Sequence, residues 1–250
     1  MPVTTLPTLR VEESKKRVRA YLQGQVVADS TRCRLVWEIP HYPAYYFPEA
    51  DVRCELLSPG DQAPKPSPLG TPRHFHVAVG ERRAPNAIWD YPDSPILGGY
   101  LRLKWDAMDC WLEEEDEVFV HPHDPYKRID VLQGSRHVEV SLEGEKLADS
   151  RRPTLVFETG LPTRYYLPKS DVRMELLTPT DHRSGCAYKG FARYWSVRAA
   201  GTVHANLAWS YPTPLPEASK IAGLVAFFDE AVDVRVDGVP QLRPMTEFTR

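Results

Sequence analysis

Residues that could do chemistry are concentrated in positions 181–190, where the sequence reads D-H-R-S-G-C-A-Y-K-G. Cys186 lies near the centre of this segment. The basic residues around it are His182, Arg183 and Lys189. Positive charge near a thiol stabilises the thiolate, which is the nucleophilic form of cysteine. Cys186 is therefore the candidate catalytic residue, and Tyr188 and Lys189 are candidate ligand contacts. Two alternatives remain: a buried structural cysteine, or a loop that binds a ligand without covalent chemistry.

A second charged set consists of Asp171, Arg173 and Glu175, within a segment predicted to form a strand over 172–177. Alternate residues of a strand share one face, so Arg173 could bind an anionic ligand with its guanidinium fork. The alternative is a structural ion pair in which Arg173 bridges the two carboxylates. The same residue types recur at positions 51, 53 and 55, which favours the structural interpretation.

Asn206, Trp209 and Tyr211 form a third set of candidates. The two aromatic rings could wall a pocket and stack on a flat ligand, with the Asn206 amide fixing its orientation. The alternative is a core tryptophan and a turn-capping asparagine. With the residues above, this set predicts a site for a small planar or anionic ligand.

The sequence contains no clear motif for a metal or cofactor site. His74 and His76 alternate on a predicted strand, but no third ligand follows at metal-binding spacing. The four cysteines are scattered and form no C-x-x-C pair. We therefore predict no metal and no cofactor.

Charge and hydropathy exclude further classes of function. The formal net charge is −3, and the strongest charge run, 113–117, is acidic, so we expect no nucleic-acid partner. The longest apolar run, 221–228, falls far short of the ~20 residues that span a bilayer. The first residues lack the apolar stretch of a signal peptide. These features predict a cytoplasmic protein with reduced thiols and no membrane partner.

An internal repeat organises the chain. Residues 22–38 recur at 142–158, and D-V-R-x-x-L-L at 51–57 recurs at 171–177, all at an offset of 120. We predict two homologous domains, 14–115 and 134–240, joined by a linker over 116–133. Where the second copy has Cys186 and Lys189, the first has Pro66 and Leu69. A single working site is therefore expected in the second domain.

The linker has an unusual composition for a tether. It contains two histidines, and Pro122 and Pro125 stiffen it. We predict that it packs between the two repeats, which would pack on each other; the alternative is a rigid spacer. Its candidate interface residues are His121, Asp124, Tyr126 and Arg128.

The fold class follows from composition and periodicity. The chain has 24 prolines and 14 glycines, with proline at about twice its usual ~5%. Alternating segments such as 138–142 and 232–236 predict short strands joined by turns. We therefore predict a mainly β protein with little helix, each domain a barrel or a folded sheet pair, with one helical turn over 221–228.

The repeated Y-Y-x-P-x-x-D-V-R-x-x-L-L, the C-A-Y-K-G at 186–190 and the A-N-x-A-W-S-Y-P at 205–212 resemble the domain-of-unknown-function family 427. The resemblance covers nearly the whole chain and includes the linker. It implies two compact domains of the beta-tent kind, without the zinc ligands of related tent folds. It also brings a nucleotidyltransferase label, which the motifs do not support, because the glycine-rich phosphate loops and paired carboxylates are missing.

These observations leave three hypotheses about function. The first is binding of a small planar or anionic ligand in the second domain. The second is a thiol-dependent enzyme that uses Cys186, so whether the protein is an enzyme stays open. The third is an interaction module without chemistry. The sequence does not define the oligomeric state.

Overall fold

The structure is a computed structural model that describes residues 9–246, 248 and 249. The chain divides into two compact units, residues 1–124 and 125–250. The described residues form strands and short 3-10 helices, which confirms the predicted mainly β class. No helix in this part of the chain is long and apolar enough to cross a membrane.

The described residues of the first unit form eleven strands, two of them very short. They are β1 (Arg10–Glu13), β2 (Val18–Leu22), β3 (Gln25–Ser30), β4 (Arg34–Trp37), β5 (Ala44–Pro48), β6 (Leu57–Pro59), β7 (Arg73–Val79), β8 (Arg82–Asp90), β9 (Tyr100–Leu103), β10 (Cys110–Glu113) and β11 (Asp116–Glu117). Its 3-10 helices are Glu49–Asp51, Cys54–Leu56 and Trp105–Ala107.

Two antiparallel sheets make up this unit. One has seven strands in the order β1-β4-β5-β9-β8-β7-β6, and the other has four in the order β11-β10-β2-β3. The alternation of apolar residues along β2 explains the packing, because Val18, Ala20 and Leu22 are fully buried. They join a cluster that includes Phe47 and Ile88 from the larger sheet, so the main core lies between the sheets.

The second unit repeats this pattern. Its strands are β12 (Ile129–Gln133), β13 (Val138–Leu142), β14 (Glu145–Ser150), β15 (Thr154–Glu158), β16 (Arg164–Tyr166), β17 (Leu177–Cys186), β18 (Gly190–Ala199), β19 (Thr202–Ser210), β20 (Ala226–Phe227), β21 (Asp233–Val236) and β22 (Val239–Pro240). Its 3-10 helices are Lys169–Asp171, Met174–Leu176 and Pro216–Ile221.

The sheets of this unit have the orders β12-β15-β16, β17-β18-β19-β20 and β14-β13-β21-β22. A bridge between Leu167 and Val225 links the first two, which together match the seven-stranded sheet of the first unit. The predicted tandem arrangement of two similar β domains is therefore confirmed.

Two predicted elements are wrong. The strand predicted over 172–177 consists of a bridge residue, Val172, and the 3-10 helix Met174–Leu176; strand β17 begins only at Leu177. The helical turn predicted over 221–228 ends at Ile221, and Ala226–Phe227 is strand β20. Both segments are short, and their conformation depends on the strands available for pairing rather than on periodicity.

The outer face of the larger sheet differs between the domains. In the second domain ten buried residues pack there, including Tyr194, Trp209 and Ala226. In the first domain the corresponding buried cluster has four residues: Val36, Tyr46, Tyr91 and Leu97. The same sheet is thus closed on its outer face in one domain and more open in the other.

Candidate functional site

The Cys186 segment is a hairpin rather than a long loop. Strand β17 continues to Cys186, which pairs with Gly190 at the start of β18, so the turn contains only residues 187–189. Gly190 has φ +89°, the left-handed conformation that commonly ends a three-residue hairpin turn. This tight turn fixes where Cys186, Tyr188 and Lys189 point.

Lys189 points inward. It is 9% exposed, and its Nζ forms an ion pair with Glu158 of β15, whose side chain is also mostly buried. Burial lowers the pKa of Lys189, but the nearby charges of Cys186 and Glu158 raise it above its ordinary value. Lys189 is therefore the cation that the structure places beside the half-buried Cys186 thiol.

Aromatic residues form the floor beneath this ion pair. Trp209 Nε1 donates a hydrogen bond to the hydroxyl of Tyr166 (3.0 Å), and Tyr211 packs against Tyr166. Burial raises the pKa of Tyr166 to about 12 and that of Tyr211 well above its ordinary range. Both hydroxyls therefore stay protonated at neutral pH. Trp209 and Tyr211 are 7% and 5% exposed, so they pack in the outer core.

His182 and Arg183 have other contacts. The ring of His182 lies edge-on to Tyr194, with ring centroids 4.5 Å apart. Arg183 Nη1 donates hydrogen bonds to the carbonyls of Thr180 (3.1 Å) and His182 (2.9 Å). The hydrogen bonds of Arg183 thus stay within β17.

Arg173 lies away from the hairpin turn. Its Nε donates to Glu175 (2.8 Å) and its Nη1 to Glu145 (3.2 Å), while Asp171 pairs with Arg152. Glu145 also accepts the backbone N–H of Ala200, which lies at the opposite end of β18 from Gly190. Arg173 therefore forms structural ion pairs with Glu175, one of the two carboxylates that alternation suggested, and with Glu145 in place of Asp171.

Asn206 sits at an irregularity in the pairing of β18 with β19 and has φ +52°. Asparagine tolerates this left-handed conformation better than most residues. Its Oδ1 accepts a hydrogen bond from Thr180 Oγ1 (2.7 Å), which ties β19 to β17. The repeated residue Asn86 has φ +48°, so this asparagine has the same backbone role in both domains.

The predicted linker residues fall on both sides of the boundary between the units. In the first unit, His121 stacks on Tyr42 (4.2 Å) and Asp124 accepts a hydrogen bond from Trp37 Nε1 (3.0 Å). In the second, Arg128 N–H donates to Thr159 Oγ1 (3.0 Å), and Tyr126 is exposed.

Two features escaped the sequence analysis. One is Glu158. The sequence could have indicated this residue, because a glutamate recurs at the equivalent position of the first repeat, Glu38. The other is a cluster of the half-buried His137 and Glu139 with the exposed Asp149, whose ligand atoms lie within 4.8 Å of one another. Lys146 Nζ lies 3.0 Å from Glu139 and 2.7 Å from Asp149, so an ammonium group already balances these carboxylates.

The first domain has a glutamate at the corresponding position, Glu38, but a different residue supplies its cation. Glu38 accepts hydrogen bonds from the hydroxyl of Tyr46 (2.7 Å) and from Arg102 (2.8 Å). Arg102 pairs with Trp89 as Ala226 pairs with Trp209, so the arginine has no counterpart in the second domain. Each domain thus holds one glutamate and one cation at this place, but the cation comes from a different strand.

The fold and this arrangement define a protein of two tandem β domains, each with a glutamate–cation pair that is mostly buried in the second domain and partly buried in the first. The chain matches the family described as "Domain of unknown function (DUF427)" over residues 10–114 and 130–238, and it belongs to that family. No curated protein matches the sequence.

Proposed function

We propose that the protein binds a small molecule at the Cys186–Gly190 hairpin of its second domain. The observation that carries this proposal is the position of the half-buried Cys186 thiol beside the buried ion pair of Lys189 and Glu158. Tyr188 is half-buried in the same turn and is the third contact residue. The other predicted contacts, Trp209 and Tyr211, are buried and pack against Tyr166.

The energetics of the ion pair favour a functional role. Replacing a buried ion pair by apolar residues of similar size is often neutral or stabilising, by about 1–4 kcal/mol. Ionisable groups with shifted pKa values are also common at functional sites. Lys189, Tyr166 and Tyr211 all have shifted pKa values and lie around one thiol.

The charges restrict the ligand. Lys189 is neutralised by Glu158, so an anionic ligand would have to share the ammonium group. A ligand with a planar, largely apolar body and one anionic or polar group therefore fits better than a multiply charged one. Arg173 takes no part, because its guanidinium is bound to Glu145 and Glu175.

A second candidate function is thiol chemistry at Cys186, favoured by the proximity of Lys189. The ammonium group would stabilise the thiolate, which could attack an electrophilic carbon of the ligand and expel a leaving group. We expect iodoacetamide to alkylate Cys186 about tenfold faster than Cys110 at pH 7. Cys110 is also half-buried, and burial together with Glu117 raises its pKa.

The variant Lys189→Leu/Glu158→Gln tests this prediction without leaving an unpaired charge. Leucine is the residue that the first domain carries at this position, as Leu69. Alkylation of Cys186, followed by peptide mass spectrometry, should slow to about the rate of Cys110. Equal rates for Cys186 in the variant and in the original protein would contradict thiolate stabilisation by Lys189.

Ligand binding is tested separately by native mass spectrometry of the full chain purified from cells. We expect an additional small-molecule mass on the original protein and its loss from Lys189→Leu/Glu158→Gln. Arg152→Ala, which removes an exposed ion pair of the same domain, serves as the control and should keep the mass. A protein without bound mass, or a mass unaffected by the double substitution, would count against a site at the hairpin.

A further inference from the structure

A groove of about 370 Å³ opens on the outer face of the first domain, next to Trp89. We call it the Trp89 groove. Strands β7, β8 and β9 and the segment before β7 supply its walls. The walls include Lys65, His74, Trp89, Arg102 and Lys104.

The groove is positively charged. Lys65, Arg102 and Lys104 line it, and none of the described residues that line it is a carboxylate. Within the described part of the chain, no carboxylate forms an ion pair with Lys65 or Lys104, whereas Arg102 pairs with Glu38. Two lysine charges are therefore available for an anion.

The groove also has a planar, pre-positioned wall. Trp89 pairs with His74 on one side and with Arg102 on the other, so the three side chains occupy neighbouring strands. The Arg102 guanidinium lies over the Trp89 ring, 4.5 Å from its centroid. A planar ring can extend such a stack, because both guanidinium and indole present flat, polarisable faces.

Hydrogen-bonding capacity at this wall is unused. Nδ1 of His74 and Nε of Arg102 are buried and have no hydrogen-bond partner among the described residues. Most buried polar atoms in folded proteins are hydrogen-bonded. His74 and Arg102 flank Trp89 on β7 and β9, so one buried polar atom without a partner lies on each side of the Trp89 residue.

The second domain shows that the fold itself does not require this groove. Tyr194, Ala226 and Phe228 occupy the positions of His74, Arg102 and Lys104. The ring of Phe228 lies 4.6 Å from Trp209, and the hydroxyl of Tyr194 is hydrogen-bonded to Ser184 (2.7 Å). These side chains fill the corresponding space.

The first domain also has room for a bulkier ring. A neighbouring cavity of about 340 Å³ shares Trp89, Arg102 and Lys104 with the groove. Trp105 and Trp111 line that cavity and stack on each other with centroids 4.4 Å apart. An aromatic ligand can therefore lie against Trp89 while its charged group faces the lysines.

From this geometry we propose that the Trp89 groove binds an aromatic phosphate, with the ring against Trp89 and the phosphate between Lys65 and Lys104. Two unpaired lysines match a phosphate dianion better than a single carboxylate charge. This site lies in the first domain and shares no residue with the hairpin of the second. Each of the two proposals can therefore be tested, and refuted, without the other.

Isothermal titration calorimetry on the full chain tests the proposal, with phenyl phosphate as the probe. We expect a Kd of about 1 mM or below for phenyl phosphate, and binding at least about tenfold weaker for cyclohexyl phosphate, inorganic phosphate and benzyl alcohol. Equal binding by cyclohexyl phosphate or inorganic phosphate would overturn the aromatic part of the proposal. Equal binding by benzyl alcohol would overturn the anionic part.

The variant Lys65→Gly/Lys104→Phe carries the residues that the second domain has at these positions, Gly185 and Phe228. Both lysines are exposed, so we expect the variant to fold. It should bind phenyl phosphate at least about tenfold more weakly, while Lys15→Phe, at an exposed lysine elsewhere in the domain, should not. Unchanged binding by the double variant, or no binding to the original protein up to about 10 mM, would overturn the proposal.

Discussion

Arg164→Ala is expected to lower the free energy of unfolding of the second domain by about 3–5 kcal/mol. Arg164 is 8% exposed and forms a two-pronged ion pair with Glu230 (2.8 and 2.5 Å). It also lies 3.6 Å from Asp229. Removal of the guanidinium would leave two carboxylates buried without their cation, which costs far more than the loss of an exposed pair.

The pH dependence sharpens this prediction. Burial raises the pKa of Asp229 to about 7, even though Arg164 opposes the shift. Because this folded-state pKa lies above the unfolded value of 3.8, the stability that Asp229 contributes is present below pH 3.8 and is lost as the pH rises through 7. Asp229→Asn should therefore stabilise the domain more at pH 8 than at pH 5.

Urea unfolding, with hydrogen exchange to assign the transition to second-domain peptides, measures these changes. Arg152→Ala is the matched control, because Arg152 also pairs with an aspartate, Asp171, but is 66% exposed. Its effect should stay below about 1 kcal/mol. A loss for Arg164→Ala no larger than that of Arg152→Ala would show that burial of the Arg164 pair does not matter.

Glu113→Gln is expected to destabilise the first domain by about 3 kcal/mol at pH 7. Glu113 is 6% exposed and accepts hydrogen bonds from the Tyr45 hydroxyl (2.8 Å) and the His123 N–H (3.0 Å), and it pairs with Lys16. Burial alone would raise its pKa, but the bonds from His123 and Lys16 lower it to about 2.

The sign of the pH effect follows from that shift. The folded-state pKa lies below the unfolded value of 4.5, so the carboxylate stabilises the domain above pH 4.5 and this stability is lost as the pH falls to about 2. The difference between Glu113→Gln and the original protein should therefore shrink from pH 7 to pH 3. Glu117→Gln, at an exposed position on β11, should change little at either pH. A constant difference across this range would refute the role of the Glu113 charge.

Much of the fold could be predicted because it depends on local patterns. Strand β13 has the bounds 138–142 that its alternating residues predict, because an alternating segment between turn residues favours a strand wherever it pairs. The segments 172–177 and 221–228 were predicted wrongly. Their conformation is decided by partners that lie far away in the chain, such as Leu167 for Val225.

The candidate site likewise has a part that the sequence could predict and a part that it could not. The sequence placed Cys186 and Lys189 close together because they share one short turn. It could not reveal Glu158 as the partner of Lys189, since that contact spans 31 positions, from strand β15 to the hairpin turn. Nor could it show that Arg102 pairs with Glu38 in the first domain as Lys189 pairs with Glu158 in the second. The two cations are at unrelated sequence positions, and only the folded sheet brings each of them to the equivalent glutamate.

By itself, the sequence determined that this protein is a tandem pair of small β domains and that their hairpin segments differ, because repeats and turn residues are local features. Only the tertiary structure decided which side chains are open to a ligand. The repeated Trp89 and Trp209 are the same residue in the same strand position, yet Phe228 covers one and Lys104 leaves the other beside a groove. Exposure depends on what neighbouring strands place alongside a residue, and residue type and spacing do not encode it.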